Sequence, residues 1–143
     1  MNTIYTYGYG GSRTALADLK AYVLAGAVIL DIRYSRRSSV PGMNEYQLSA
    51  VLNYGYDDGS FPTNYAVCGT LGNINYRSGG PIRLASPMQG LDELGSRLHL
   101  KSVVLLCGCA NVEVCHRKDV AEMAQSRWPS VLVRHLKPGD RIG

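Results

Sequence analysis

Long apolar runs are missing from this chain. No stretch approaches the roughly 20 apolar residues that cross a bilayer as a helix, so no membrane span is expected. The N-terminal MNTIYTYGYGG has no basic region followed by an apolar one, the mark of a secretory leader, and the reading that follows is a cytoplasmic protein. Phenylalanine and tryptophan occur once each, and charged residues make up only 18 % of the chain, against 45 % apolar. That balance excludes a disordered polyelectrolyte and describes a globular chain. The net charge of +4 is modest: it favours an anionic partner without requiring a nucleic acid. Neither an internal repeat nor an interdomain linker breaks the 143 residues, so one domain over 1–143 is expected. Four cysteines in a reducing compartment read as thiols or metal ligands rather than disulfides.

What the chain does have is an alternation of short β-rich runs with amphipathic segments. Residues 3–7 (TIYTY) alternate and read as a first strand, followed by the glycine turn Gly8-Tyr9-Gly10-Gly11. Ser12 or Thr14 can cap the next helix, whose apolar face is Leu16, Leu19, Tyr22 and Val23 and whose end is Gly26. Residues 28–33 (VILDIR) read as a second strand, 34–42 as a basic, serine-rich loop, and Asn44 as the cap of a helix carrying Leu48, Val51 and Leu52. From 53 to 87 glycine, asparagine, proline and tyrosine dominate; 65–68 is a short strand in an otherwise long loop, a length that points to function or mobility. Pro87 opens a third helix with Leu91, Leu94 and Leu98 on one face. Val103-Val104-Leu105-Leu106 is a buried strand ending in Cys107, a fourth helix opens at Cys115, and 131–135 (VLVRH) is the last strand. Strand-helix alternation predicts an α/β fold: one three-layer Rossmann-like or flavodoxin-like domain around a mostly parallel sheet of about five strands.

In such a fold the loops after strands one, two and four meet at the carboxyl edge of the sheet, where open α/β proteins take their ligands. That edge collects Tyr9, Ser12 and Arg13, then Asp31 and Arg33, then Cys107 to Arg117. Three arginines, Arg13, Arg33 and Arg117, can surround a phosphate or carboxylate there, beside the unpaired N–H groups of a helix start. The plainer reading is that Asp31 and Arg33 pair with neighbours. Cys115, at a helix start and next to His116 and Arg117, is the best candidate for a reactive thiolate; the alternative is an inert buried cysteine. The spacing is not that of the Cys-x5-Arg loop of thiol phosphatases. Cys107, Cys109, Cys115 and His116 are also four soft ligands within ten positions, enough for zinc or iron, although Cys-x-Cys is not the usual Cys-x2-Cys knuckle. The run Arg33 to Arg37 can grip a phosphate backbone or be a solvated face. Cys68 reads as core; His99 and His135 read as structural, with His135 the nearer to the site edge.

Tyr5-Thr6-Tyr7-Gly8-Tyr9-Gly10, Leu30-Asp31-Ile32-Arg33 with Tyr34-Ser35, Pro41 with Asn44, Leu71-Gly72, Leu105-Leu106-Cys107 with Cys115-His116-Arg117, and Arg134-His135-Leu136 together resemble, in order and spacing over nearly the whole chain, the DUF488 family of small bacterial and phage proteins. The resemblance implies a compact α/β domain with a pocket lined by the counterparts of Ser12, Arg13, Asp31, Arg33, Asn44, Cys107, Cys115, His116 and Arg117, and a link to nucleotide or nucleic-acid metabolism. The chain departs from the family pattern at Cys109, where the family usually has an acidic residue, and at Asn73, where its second glycine stands.

The expected function is therefore that of an enzyme acting on a nucleotide or a nucleobase, free or within a nucleic acid. Cys115, His116 and Asp31 are the candidate catalytic residues; Tyr9, Ser12, Arg13, Arg33, Asn44 and Arg117 are the candidate ligand-binding residues, and Tyr54, Tyr56 or Tyr76 can stack on the base. Loss of the family's acid at Cys109 favours the alternative of a protein that captures a small nucleotide without turnover. A metal-binding or redox domain built on the cysteine cluster is the third reading.

Overall fold

The computed structural model describes residues 2–53 and 64–143. Five strands, β1 (Ile4–Gly8), β2 (Val28–Asp31), β3 (Tyr65–Val67), β4 (Val103–Cys107) and β5 (Val133–Leu136), form one open, all-parallel sheet in the order β3-β2-β4-β1-β5. Four helices connect them: α1 (Ala15–Leu24), α2 (Glu45–Leu52), α3 (Pro87–Leu98) and α4 (His116–Arg127). The α/β class and the parallel sheet expected from the alternation are present. Strand β2 is shorter than its apolar pattern suggested, because Asp31 and Arg33 turn onto each other at its end, and β5 begins at Val133 rather than at residue 131. Among the described residues no helix is long and apolar enough to cross a membrane.

The alternation of side chains along β4 sorts the core into two halves. Val103 and Leu105 pack with Leu91, Leu94 and Leu98 of α3 and with Val120 and Ala124 of α4. Val104 and Leu106 pack with Leu19 and Tyr22 of α1 and with Leu48 and Leu52 of α2. The sheet is thus covered on both faces, which is why β4 reads as an unbroken apolar run. Each fully buried leucine contributes about 1.5–3 kcal/mol relative to exposure.

Local chemistry ends the elements where the sequence signals predict. Gly26 takes φ +98°, open to glycine, and closes α1: its N–H bonds Val23 O at 3.0 Å and the Ala27 N–H bonds Tyr22 O at 3.1 Å. Thr14 stands at the cap position of α1, but its hydroxyl goes to Asp18 Oδ2 at 2.9 Å instead of to the backbone. Asn44 caps α2 from an extended backbone, and its own N–H is received by Gln47 at 3.3 Å.

The connections explain where a ligand fits. From β1 to β2 to β3 the chain runs toward one edge through α1 and α2. From β3 to β4 to β5 it runs back through α3 and α4 on the other face. Strand β4 lies between β2 and β1, so its loop leaves toward one face while both neighbours' loops leave toward the other. The carboxyl end of β4 therefore stands at a topological switch point on each side, the place where such sheets open a crevice.

Candidate functional site

Cys107 is the last residue of β4, and Cys109 lies two positions on, past a bend at Gly108, with the two sulfurs close together. A short turn of 3-10 helix, Val112–Val114, carries the chain to Cys115, the cap residue of α4, and His116 is the first residue of that helix. The three sulfurs lie within 4.8 Å of one another. Cys107 Sγ is 3.8 Å from Cys109 Sγ and 3.1 Å from Cys115 Sγ. His116 Nδ1 is 3.5 Å from the first and 3.9 Å from the last of these three thiols in chain order. The other ring nitrogen, Nε2, meets Ile32 O at 2.8 Å, which orients the imidazole toward the sulfurs.

Negative charge in this cluster concentrates on Cys115. Its thiol is held far below the ordinary range by Cys107, by Cys109, by His116 and by the Arg117 backbone N–H, against the opposing effect of burial. Cys107 moves the other way, to about 12: the contact with Cys109 lowers it, but the contact with Cys115 and burial override that. Cys109 is likewise raised, by Cys107 and then by Cys115. His116 is raised: burial opposes its charge, and Cys115 and the Ile32 carbonyl favour it. Cys115 itself is 1 % exposed, so the thiol with the strongest thiolate character is sealed from solvent, while Cys109 is half-buried.

Asp31 and Arg33 form a second buried cluster. Asp31 Oδ1 accepts from Arg33 Nε at 2.8 Å, and Oδ2 accepts from Arg33 Nη2 and from Tyr65 Oη, both at 2.6 Å. Arg33 Nη1 also donates to Tyr9 Oη at 3.1 Å and to Met43 O at 2.7 Å. Burial works against the Arg33 charge, and the Asp31 fork more than restores it. The Tyr65 hydroxyl is raised by burial and then by the Asp31 charge. The carboxylate of Asp31 is 0 % exposed and engaged on both oxygens, so it is not placed to act on a ligand. Its neighbour Arg33 reaches the cavity wall only with what this pairing leaves over.

The three expected anion-holding arginines do not share one position of this kind. Arg117 is buried and donates to Cys109 O at 2.8 Å and to Ala110 O at 3.4 Å. It is packed against Gly8, where an added Cβ would stand 1.7 Å from Cys109 O and 2.5 Å from Arg117 Nη1, so glycine is required at the end of β1. Arg13 is exposed on the turn before α1. Ser12 lies 3.2 Å from Tyr7 Oη, and Asn44 Oδ1 accepts from the Ser38 N–H at 2.6 Å; both hold loops.

Beside the thiol cluster is a cavity of about 460 Å3, within the size of small-molecule sites. It is lined by Cys107, Cys109 and His116, by Tyr9 and Arg33, and by a wall that includes Tyr34, Asn73, Asn75 and Tyr76. Tyr34 and Tyr76 stand with ring centres 6.2 Å apart and planes tilted by 54°. The wall is organised by an isolated antiparallel bridge between Asn73 and Leu84, with Asn73 Oδ1 accepting from the N–H groups of Asn75 and Arg83. Tyr34, Ser35, Arg37 and Tyr76 also line a second, larger groove of about 810 Å3, together with Arg36, Ser38 and Ser39. Arg36 there pairs with Glu45, whereas Arg37 is exposed.

Of the residues expected at the site, the cavity gathers Tyr9, Arg33, His116, Cys107, Cys109 and Tyr76; it does not gather Ser12, Arg13, Asp31, Asn44, Cys115 or Arg117. Tyr54 and Tyr56 lie outside the described residues. The amides of Asn73 and Asn75 were missed, although Asn73 marked a departure from the family pattern. No family model, curated protein or solved structure matches the chain, so the DUF488 resemblance rests on the motifs in the sequence.

Proposed function

We propose that this protein binds a nucleotide or a nucleobase, with the base in the cavity beside Cys109 and His116 and the phosphate on the loop that carries Arg37. The observation that supports this most is that Tyr34, Ser35, Arg37 and Tyr76 line both spaces. One space offers aromatic faces and two side-chain amides, the complement of a flat, hydrogen-bonding ring. The other offers an exposed guanidinium and serine hydroxyls, the complement of a phosphate. The DUF488 relationship belongs to the same proposal, on the Asp31-Ile32-Arg33 and Cys115-His116-Arg117 motifs.

Capture without turnover is favoured over catalysis. Among the described residues lining the cavity there is no carboxylate, and the two strongest candidate reactive groups, Asp31 and Cys115, are sealed in the interior. Isothermal titration with the 5′-mononucleotides, their nucleosides and the free bases tests the reading. Tyr76→Ala is expected to weaken nucleotides and nucleosides alike by about 1–3 kcal/mol, the range for one base stacked on an aromatic ring. Arg37→Ala is expected to weaken nucleotides only. Binding that neither variant changes, or no binding to the whole panel, counts against the proposal; a product appearing on prolonged incubation restores the enzymatic reading.

A further inference from the structure

We infer that Cys107, Cys109, Cys115 and His116 form a four-ligand zinc site at the carboxyl end of β4. A tetrahedral zinc, with Zn–S of ~2.3 Å and Zn–N of ~2.0–2.1 Å, sets its ligand atoms ~3.8 Å apart between sulfurs and ~3.6 Å apart between sulfur and nitrogen. The Cys107–Cys109 separation of 3.8 Å and the Cys107–His116 separation of 3.5 Å fit these edges, and Cys115–His116 at 3.9 Å is close to them; the three sulfurs are the group lying within 4.8 Å of one another, and the imidazole has to close on Cys109 to complete the fourth corner. Cys107 and Cys115, at 3.1 Å, need to part by ~0.7 Å to reach the ~3.8 Å edge, a shift within reach of side-chain rotation at the end of a strand and the start of a helix.

A second, independent observation is the partner of the imidazole. Histidines that ligate a metal through one nitrogen characteristically donate the other N–H to a carbonyl or carboxylate, which fixes the tautomer and aims the ring. His116 does this, with Nε2 on Ile32 O at 2.8 Å and Nδ1 toward the sulfurs of Cys107 and Cys115. The donor set is soft, three thiols and one imidazole, which selects zinc over the hard cations. Four protein ligands close the coordination sphere, so the ion is structural: it ties the end of β4 to the start of α4 and, through Ile32, to the end of β2. The role is independent of the ligand proposed for the cavity, and its test contains no nucleotide.

The test is metal content and stability of the whole chain, prepared with no chelator and no metal-affinity tag. Elemental mass spectrometry is expected to give one zinc per chain. Cobalt substitution is expected to give the charge-transfer absorption of tetrahedral cobalt thiolate, and chelation to lower the melting temperature, with zinc restoring it. Cys109→Ser, at the most exposed of the three thiols, is expected to weaken zinc by more than ~100-fold, since loss of even an outer-shell partner costs ~10–100-fold; Cys68→Ala, away from the cluster, is expected to keep one zinc. The inference is overturned if the wild-type chain neither retains zinc nor takes it up on titration, or if Cys107 and Cys115 are found joined as a disulfide, two mass units light, in metal-free protein.

Discussion

At the scale of single residues, the most consequential arrangement is the fork between Asp31 and Arg33. Residues two apart on an extended backbone point to the same side, so an Asp-x-Arg at a strand end is geometrically prepared to close on itself. Burial makes the closure costly to break. Removing one partner leaves an uncompensated charge in the interior, typically 3–5 kcal/mol. Asp31→Asn is therefore expected to lower the unfolding free energy by about that amount in denaturant titrations, and Asp31→Asn with Arg33→Gln to cost less than the sum of the two single changes. An Asp31→Asn protein of unchanged stability that had lost only ligand binding would show that the pair serves the ligand and not the fold. The sequence placed these two residues at the site edge and also offered their pairing with neighbours. Pairing is what the structure has, and the cause is the hydroxyl of Tyr65 on β3 and the carbonyl of Met43, which complete the cluster from positions no local pattern announces.

At the scale of elements, α1 is fastened to the C-terminal segment by a buried carboxylate. Asp18 accepts from Tyr7 Oη at 2.6 Å, from Thr14 Oγ1 at 2.9 Å, from the Gly139 N–H at 3.1 Å and from Arg141 Nη1 at 2.7 Å. Burial alone would raise its pKa; the Tyr7 and Arg141 bonds, with the Gly139 N–H, bring it below the ordinary value. A folded-state pKa below the unfolded one means stability that is present above the unfolded value and lost as pH falls through the folded one. Wild type is thus expected to exceed Asp18→Asn in stability near neutral pH by ~1–3 kcal/mol, the cost of leaving buried donors unmet. The gap is expected to narrow as pH drops below ~4, the unfolded carboxylate value. A gap independent of pH would contradict the assignment. Asp18 was not singled out in the sequence, because its partners come from β1 and from residues 139 and 141, more than 100 positions away. By contrast α3, whose leucines repeat on one face behind Pro87, was legible entire, and so was the strand from Val103 to Cys107.

At the scale of the whole molecule, strand order decides where the chemistry gathers. Apolar runs and helix caps indicated five strands and a parallel sheet, but not the order β3-β2-β4-β1-β5, which depends on packing between distant segments. That order sets β4 between two strands whose connections leave on the opposite face, and so brings buried Cys107 and half-buried Cys109 to the lining of a crevice. The wall of the crevice that includes Asn73 and Asn75 was the least legible part. Residues 73–84 carry turn chemistry with no apolar period, and their shape comes from the Asn73–Leu84 bridge and the side-chain bonds of Asn73 and Asn75. The same Asn73 and Asn75 supply the polar edge of the proposed base site. Sequence reasoning aimed thiols, histidine, tyrosine and arginines at one edge of the sheet; Cys107, Cys109, His116, Tyr9, Arg33 and Arg37 line the cavity there, while Arg33 and Arg117 are also bonded to the protein's own carboxylate and carbonyls.

Entry of a nucleotide into that crevice is read most directly by amide NMR of the isotopically labelled chain, titrated in turn with each 5′-mononucleotide. A saturable set of shifts at residues 34–37, 73–82 and 107–116, with Arg37→Ala removing it for nucleotides and not for nucleosides, is the predicted result. Shifts confined to other parts of the chain, or none with any of the nucleotides, would contradict it.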